Sequence, residues 1–364
     1  MDLNGTKTVA HRGDIKMRQI YVADVGDGLC IAIHTIFGKT IQIDCGSHDG
    51  SNVALNGFDR IYRLLFSPDV FCLSHFHADH YNGLLQASTL KDHPRLQIKE
   101  VYYPKIPEFS ERQEFLEALF AMNLRLFGDE TGVMAYDFLR TIEGINGVRF
   151  HHRPLSKDDI IDINGSSFRV LWPPEEILGK TLARIRRALK DFRKALEDDQ
   201  EMRRLYEHVK KEGFFKEYLT EGGRREPKEY ELMRREKRRQ LPDIVVRANK
   251  SLRCAANDLS LALSEDNRLL FLGDANSHEI RQIIEDLTLK GRKRFYVFIT
   301  PHHGTHWHSR LRKISCIYSV SSTGKRLISN VNPGYKSIST ISLCTHANGD
   351  LVLPSFFRGW WGFL

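Results

Sequence analysis

The chain has 364 residues, 41% hydrophobic and 27% charged, with a formal net charge of +8 at pH 7. That is enough for one large domain or two ordinary ones, and the composition excludes an intrinsically disordered chain. No stretch reaches the roughly 18 uninterrupted apolar residues of a membrane span, and residues 1–20 hold no apolar core of a secretory signal, so a cytoplasmic protein without a membrane partner is expected.

Between residues 19 and 44 the short apolar runs QIYVADV, LCIAIHTI and TIQIDC are broken at Gly26-Asp27-Gly28 and Phe37-Gly38-Lys39, which predicts strands joined by hairpins. Phe58, Ile61, Leu64 and Leu65 follow at helical spacing, and after Pro68 the apolar residues 70–73 form a buried strand. Residues 110–127 are expected to be helical. Strands return at 147–150, 160–163 and 168–171 around the Asn164-Gly165 turn, and Pro173-Pro174 closes this half. The composition then changes. Residues 178–240 hold 20 Lys/Arg against 13 Asp/Glu, a balance of +7, so nearly all of the net charge belongs to one segment. Leu182, Ile185, Leu189, Phe192 and Leu196 step by three and four, predicting a long helix with one apolar stripe. The breakers at Gly222-Gly223 and Pro227 suggest a second, shorter helix through Arg239. Strand texture resumes in LSLALS, RLLFLG, RFYVFIT, CIYSVSS and ISLCTH.

Two β-rich halves with helices between them predict an α/β sandwich of face-to-face sheets with helices outside. The expected division is 15–174 and 243–355 for the two halves, 175–242 for a charged helical insertion and 356–364 for an apolar tail. Cys30, Cys45, Cys72, Cys254, Cys316 and Cys344 lie far apart with no CxxC pair, which fits free thiols in a reducing compartment.

The chemistry concentrates in LSHFHADHYNGL (73–84), where His75, His77, Asp79 and His80 directly follow an apolar strand. Four metal-ligand side chains within six residues form a dense donor set. In extended backbone His75 and His77 point to one side with Phe76 opposite, and Asp79 and His80 follow as the chain turns towards a helix. Asp274 after RLLFLG and His302-His303 after FYVFITP repeat the pattern of an apolar strand ending in a ligand.

HFHADH resembles the HxHxDH signature of the metallo-β-lactamase fold. DVGDG (24–28), IQIDCG (41–46), NDLS (257–260), LFLGD (270–274), PHHGT (301–305) and THANGD (345–350) are similar, in order, to motifs of its ComEC/Rec2-type branch. The resemblance implies a four-layer αββα metallo-β-lactamase sandwich, here with a helical, basic insertion. It also implies two divalent metal ions, zinc or manganese: His75 and His77 on the first, with Asn257 as the candidate substitute for the third histidine. Asp79, His80 and one histidine of the 302–303 pair, assigned to His302, fall on the second, with Asp274 bridging. Asp79 orients the attacking water or accepts its proton. His303, or else His306 or His308, protonates the leaving oxygen. His151-His152, in a strand-turn-strand stretch, is read as structural.

Such a site implies a metal-dependent hydrolase, and the branch a phosphodiesterase or nuclease acting on DNA or RNA. Arg186 and Arg187 of RIRR, with Arg234, Arg235, Arg238 and Arg239 of RREKRR, are the candidate contacts to a phosphate backbone. Tyr206, Phe214, Phe215, Tyr218 and Tyr230 either stack on bases or form the apolar side of the helices. Two alternatives stand beside this reading. One is a hydrolase of a small ester, lactone, thioester or cyclic nucleotide, with the insertion as a lid. The other is an effector subunit docking on a protein partner through the insertion or the tail, where Trp360, Trp361, Phe363 and Leu364 lie.

Overall fold

The computed structural model describes residues 18–65, 67–127, 138–228 and 241–354; Tyr230, Arg234, Arg235, Arg238, Arg239 and the tail 356–364 lie outside the described residues. In chain order the strands and helices are β1 (Gln19–Val22), β2 (Gly28–His34), β3 (Thr40–Ser47), α1 (Ser51–Leu65), β4 (Val70–Cys72), α2 (Asn82–Ser88), β5 (Glu100–Pro104), α3 (Arg112–Phe127), α4 (Phe138–Ile145), β6 (Phe150–Leu155), β7 (Ile160–Ile163) and β8 (Ser166–Trp172). They continue as α5 (Gly179–Asp198), α6 (Gln200–Glu212), β9 (Gly223–Arg225), α7 (Asp243–Asn257), β10 (Ala262–Glu265), β11 (Leu269–Phe271), α8 (Ser277–Leu289), β12 (Arg294–Ile299), β13 (Ser315–Ser321), α9 (Tyr335–Ile338), β14 (Ser339–Cys344), α10 (Thr345–Asn348) and β15 (Leu351–Pro354). Among the described residues no helix is long and apolar enough to cross a membrane.

The strands form two sheets, ordered β15-β1-β2-β3-β4-β5-β6-β9 and β14-β13-β12-β11-β10-β8-β7. Within the first, β3 to β6 run parallel; within the second, β11 to β14 do. Each sheet thus carries a parallel half, and the ends of those halves hold the chemistry.

Side-chain alternation sets the layers. On β2, Leu29, Ile31 and Ile33 enter the core between the sheets, while Cys30 and Ala32 face the helices outside. On β12, Val297 and Ile299 join the inter-sheet core and Phe298 the opposite side, against Ile280, Ile283 and Ile284 of α8. Three apolar seams, helix on sheet, sheet on sheet and sheet on helix, make the four-layer αββα sandwich expected from the sequence.

The basic segment is built into this frame. Ile185, Leu189 and Phe192 of α5 lie in the same core as Phe115 and Leu119 of α3 and Leu252 of α7, and β9 extends the first sheet antiparallel to β6. A further helix, α6, precedes the breakers, and the shorter helix expected to run through Arg239 lies outside the described residues. Asp199 caps α6 by accepting from Met202 N at 2.6 Å, and Gly213, in the left-handed region at φ +66°, ends it. A 3₁₀ turn over Phe214–Leu219 fills the space before Gly222. Phe215 and Tyr218 are buried and Tyr206 hydrogen-bonds Glu117, so these rings serve packing.

Candidate metal centre

β4 runs buried through the first sheet and delivers His75 and His77 at its exit. Phe76, between them, turns the other way onto Tyr103, Phe120 and Tyr218. The chain then tightens into a 3₁₀ turn over Ala78–His80, and α2 follows. Asp79 and His80 are thereby brought beside the two earlier histidines, and all four side chains are buried. A close approach makes this possible: a Cβ on Gly46 of β3 would stand 1.8 Å from the Asp79 carbonyl oxygen.

The second sheet supplies the remaining donors. Asp274 follows β11 through Gly273, and His302 and His303 follow β12 with φ of +48° and +59°, a region L-residues seldom occupy. One donor atom from each of His75, His80 and Asp274 lies within 4.8 Å of the others. His75 Nε2 is 2.9 Å from His77 Nδ1; Asp274 Oδ2 is 3.6 Å from His80 Nε2 and 3.8 Å from His302 Nε2. Asp274 thus stands between the histidines of the two sheets. Asn257, at the end of α7, is buried, and its Oδ1 makes no hydrogen bond.

Outer partners fix the rings. Asp44, on β3 with φ +51°, accepts from Ser74 N at 2.7 Å, Ser74 Oγ at 2.5 Å and His80 Nδ1 at 2.7 Å. His75 Nδ1 meets Ser74 Oγ at 3.1 Å. Thr305 Oγ1 donates to the His302 carbonyl, so it accepts from His302 Nδ1 at 2.6 Å. His303 Nδ1 donates to the Ser322 carbonyl at 3.0 Å. Each arrangement leaves Nε2 as the inward-facing atom.

Electrostatics favour a ligand set. Burial and the neighbouring His80 and His77 hold His75 well below the ordinary histidine value. Burial, helped by Arg253, depresses His77 to about 3; burial depresses His302 to about 3 despite Asp274 and lowers His303 too. Burial alone would raise Asp79, but His48 and Arg253 hold it well below the usual carboxylate range. His302 and His80 do the same for Asp274. His80 goes the other way: burial opposes its charge, yet Asp44 and Asp274 carry it well above the ordinary value. Neutral imidazoles beside ionised carboxylates suit a divalent cation. The buried His77 Nε2, which makes no hydrogen bond, adds an unspent donor at the same place.

The structure therefore brings together His75, His77, Asp79, His80, Asp274, His302 and His303. His306 stacks on His302 with ring centroids 3.9 Å apart and bonds the Ala275 carbonyl. His308 accepts from Arg310 N, which makes it a cap on a short turn. His152 bonds Tyr103 Oη at 2.9 Å and is structural. Arg186 is exposed and pairs with Glu111 at 3.0 Å; Arg187 is exposed. Neither touches the ligand cluster. Three residues at the site went unassigned in the sequence. Asp44 sits inside IQIDCG with an Asp-x-Gly turn signal; His48 and Arg253 carry no local signal.

No family model and no curated protein sequence matches the chain. Among solved structures it is similar to a diphosphatase from the PhnP family, with 11% identity and a TM-score of 0.40 over 94% of this chain and 98% of that one. It is also similar to the metallo-beta-lactamase fold protein YhfI from Bacillus subtilis, with 8% identity and a TM-score of 0.39 over 92% and 99%. A third is MEM-A1, a subclass B3 metallo-beta-lactamase isolated from a soil metagenome library, with 15% identity and a TM-score of 0.24 over 42% and 48%.

Proposed function

We propose that the chain is a metal-dependent hydrolase of the ComEC/Rec2-like metallo-β-lactamase type, a phosphodiesterase acting on DNA or RNA with two divalent ions, zinc or manganese. The observation that carries the metal site is the meeting of His75, His80 and Asp274, from ends of two different sheets, within 4.8 Å. His75, His77 and Asn257 would hold one ion and Asp79, His80 and His302 the other, with Asp274 available to both. The chemistry a divalent ion would supply there is an activated water, with a pKa towards ~7, and a polarised ester centre.

The remaining steps belong to the chain. Asp44 and Ser74 lock His80 and His75 so that their inward nitrogens keep one geometry. Asp79 orients the attacking water through its ionised carboxylate. His303, anchored by Nδ1 on Ser322, offers a lone pair at Nε2, so it takes up a proton there before handing one to the leaving oxygen.

The test is metal analysis of purified protein, then cleavage of fluorescent oligonucleotides with Mn²⁺ or Zn²⁺, beside Asp79→Ala and His80→Ala. Both variants are expected to lose cleavage by at least ~100-fold. Cutting at the wild-type rate by either variant refutes the site. Cleavage of bis(p-nitrophenyl) phosphate without any oligonucleotide cleavage refutes the nucleic-acid substrate.

A further inference from the structure

Asp79 is held by two side chains that the steps above leave unused. His48, on the turn after β3, places Nε2 2.7 Å from Asp79 Oδ2. Arg253, on α7, places Nη2 3.3 Å from the same oxygen and 2.6 Å from His48 Nε2. The three atoms cannot all satisfy one another, because a neutral imidazole nitrogen either donates to Asp79 or accepts from Arg253. One of the three contacts is therefore always unmatched, two donors facing each other in the first case and two acceptors in the second.

Arg253 also differs from two arginines that clamp a carboxylate with both arms, Arg193 and Arg60. Arg193 grips both oxygens of Glu114, at 2.7 and 2.6 Å, and Arg60 grips both of Asp350, at 2.7 and 2.8 Å. Arg253 gives Asp79 a single nitrogen, and its Nε and Nη1 make no hydrogen bond among the described residues. It is 36% exposed while Asp79 is 5% exposed, so the guanidinium stands between the buried ligand cluster and solvent. Asn257 lies four residues on, on the same face of α7.

We propose that Arg253, beside His48, binds the anionic oxygens of a phosphoryl substrate over the metal centre, with Asp79 as the carboxylate that holds the guanidinium in place. A planar fork with uncommitted donors matches two phosphoryl oxygens and offers nothing comparable to a neutral ester, lactone or thioester. The inference rests on the metal-hydrolase reading and adds the side chain that recognises the phosphoryl group of its substrate. It assigns recognition to α7, which α5 of the basic segment buttresses, and not to the segment's own exposed arginines.

The experiment titrates metal-loaded full-length protein with inorganic phosphate by isothermal calorimetry, in wild type, Arg253→Gln and Arg253→Lys, with metal content and circular dichroism measured on the same samples. The glutamine variant is expected to bind phosphate tenfold to about a hundredfold more weakly at wild-type metal content, and lysine to recover part of the loss. Phosphate binding within twofold of wild type in Arg253→Gln overturns the inference. So does a fall in its metal content matching the fall in phosphate affinity, which marks Arg253 as a support for Asp79 alone. A fully loaded wild type that binds no phosphate refutes the inference and leaves the metal reading standing; a wild type that takes up no divalent ion refutes both.

Discussion

Replacing Asp44 by asparagine isolates the support beneath the metal centre. The residue is fully buried at φ +51°, a conformation asparagine tolerates, so shape and backbone are retained. One carboxylate oxygen takes Ser74 N at 2.7 Å, and the other takes Ser74 Oγ at 2.5 Å and His80 Nδ1 at 2.7 Å. If the amide keeps its oxygen on Ser74 N, its NH₂ faces the hydroxyl and the imidazole N–H. The hydroxyl can turn, but the imidazole cannot. The charge-assisted bond to His80 is lost, at about 1.5–3 kcal/mol, and a share of the Ser74 bond, at about 1 kcal/mol. Asp44→Asn should therefore lower unfolding stability by about 3 kcal/mol. It should also weaken divalent metal binding about 10- to 100-fold, the usual range for losing the outer partner of a ligating histidine. Urea unfolding and competition against a chromophoric chelator measure the two. Metal affinity within twofold of wild type, with stability changed by less than about 1 kcal/mol, would show that Asp44 does not hold His80 in place.

Phe192→Ala tests whether the basic segment shares the core: its ring is fully buried and meets Tyr206 at 5.3 Å, so a loss of about 3–5 kcal/mol in one urea transition is expected, and a separate early transition refutes a shared core. Burial and Glu279 push the Asp258 carboxyl up to about 8, against Asn276 and Arg184, from an ordinary value of 3.8. Between those values the native state keeps a proton that the unfolded chain releases, so this group makes stability fall as pH rises. Asp258→Asn should flatten the fall measured by urea unfolding from about pH 5 to about pH 8; a change parallel to wild type refutes it. The proton that Asp44 and Asp274 hold on His80 must leave Nε2 when an ion binds, so metal uptake near pH 7 should release about one proton and tighten as pH rises. Calorimetry in two buffers of different ionisation enthalpy reads that number, and zero refutes it.

Local rules reached far along this chain. The alternation of Leu29, Ile31 and Ile33 with Cys30 and Ala32 follows from strand geometry alone, and the structure reproduces it; Phe76 also opposes His75 and His77, but on bent backbone beyond the end of β4. The stripe from Leu182 to Leu196 likewise marked the buried face of α5. What escaped depends on which distant segments meet. Asp44 supports His80 because β3 and β4 pair in parallel and finish side by side, a register that no short window contains. Arg253, near Arg247 and Lys250, looks like any charge on a solvated helix face until the packing of α7 aims it at Asp79. α6 went unread for a smaller reason: its caps, Asp199 and Gly213, lie among charged residues ahead of the glycine-rich breakers.

The outer hydrogen bonds also decide how the site meets a ligand. Four of its five imidazoles have Nδ1 committed, to Ser74, Asp44, Thr305 and Ser322, so their tautomer and ring plane are set by folding. Folding the chain into this arrangement buries ionised carboxylates among rings of which His80 alone is kept charged, which is unfavourable by itself. The compensation lies in what a cation then has to do: it finds Nε2 atoms already turned inward and little rotamer entropy left to remove. His77 is the exception. Its Nδ1 faces His75 Nε2 at 2.9 Å and its Nε2 has no partner, so its ring alone is oriented by another prospective ligand. The reorganisation that accompanies binding should therefore concentrate at His77 and its contact with His75, while the side of the centre built on Asp44 and Asp274 keeps its geometry.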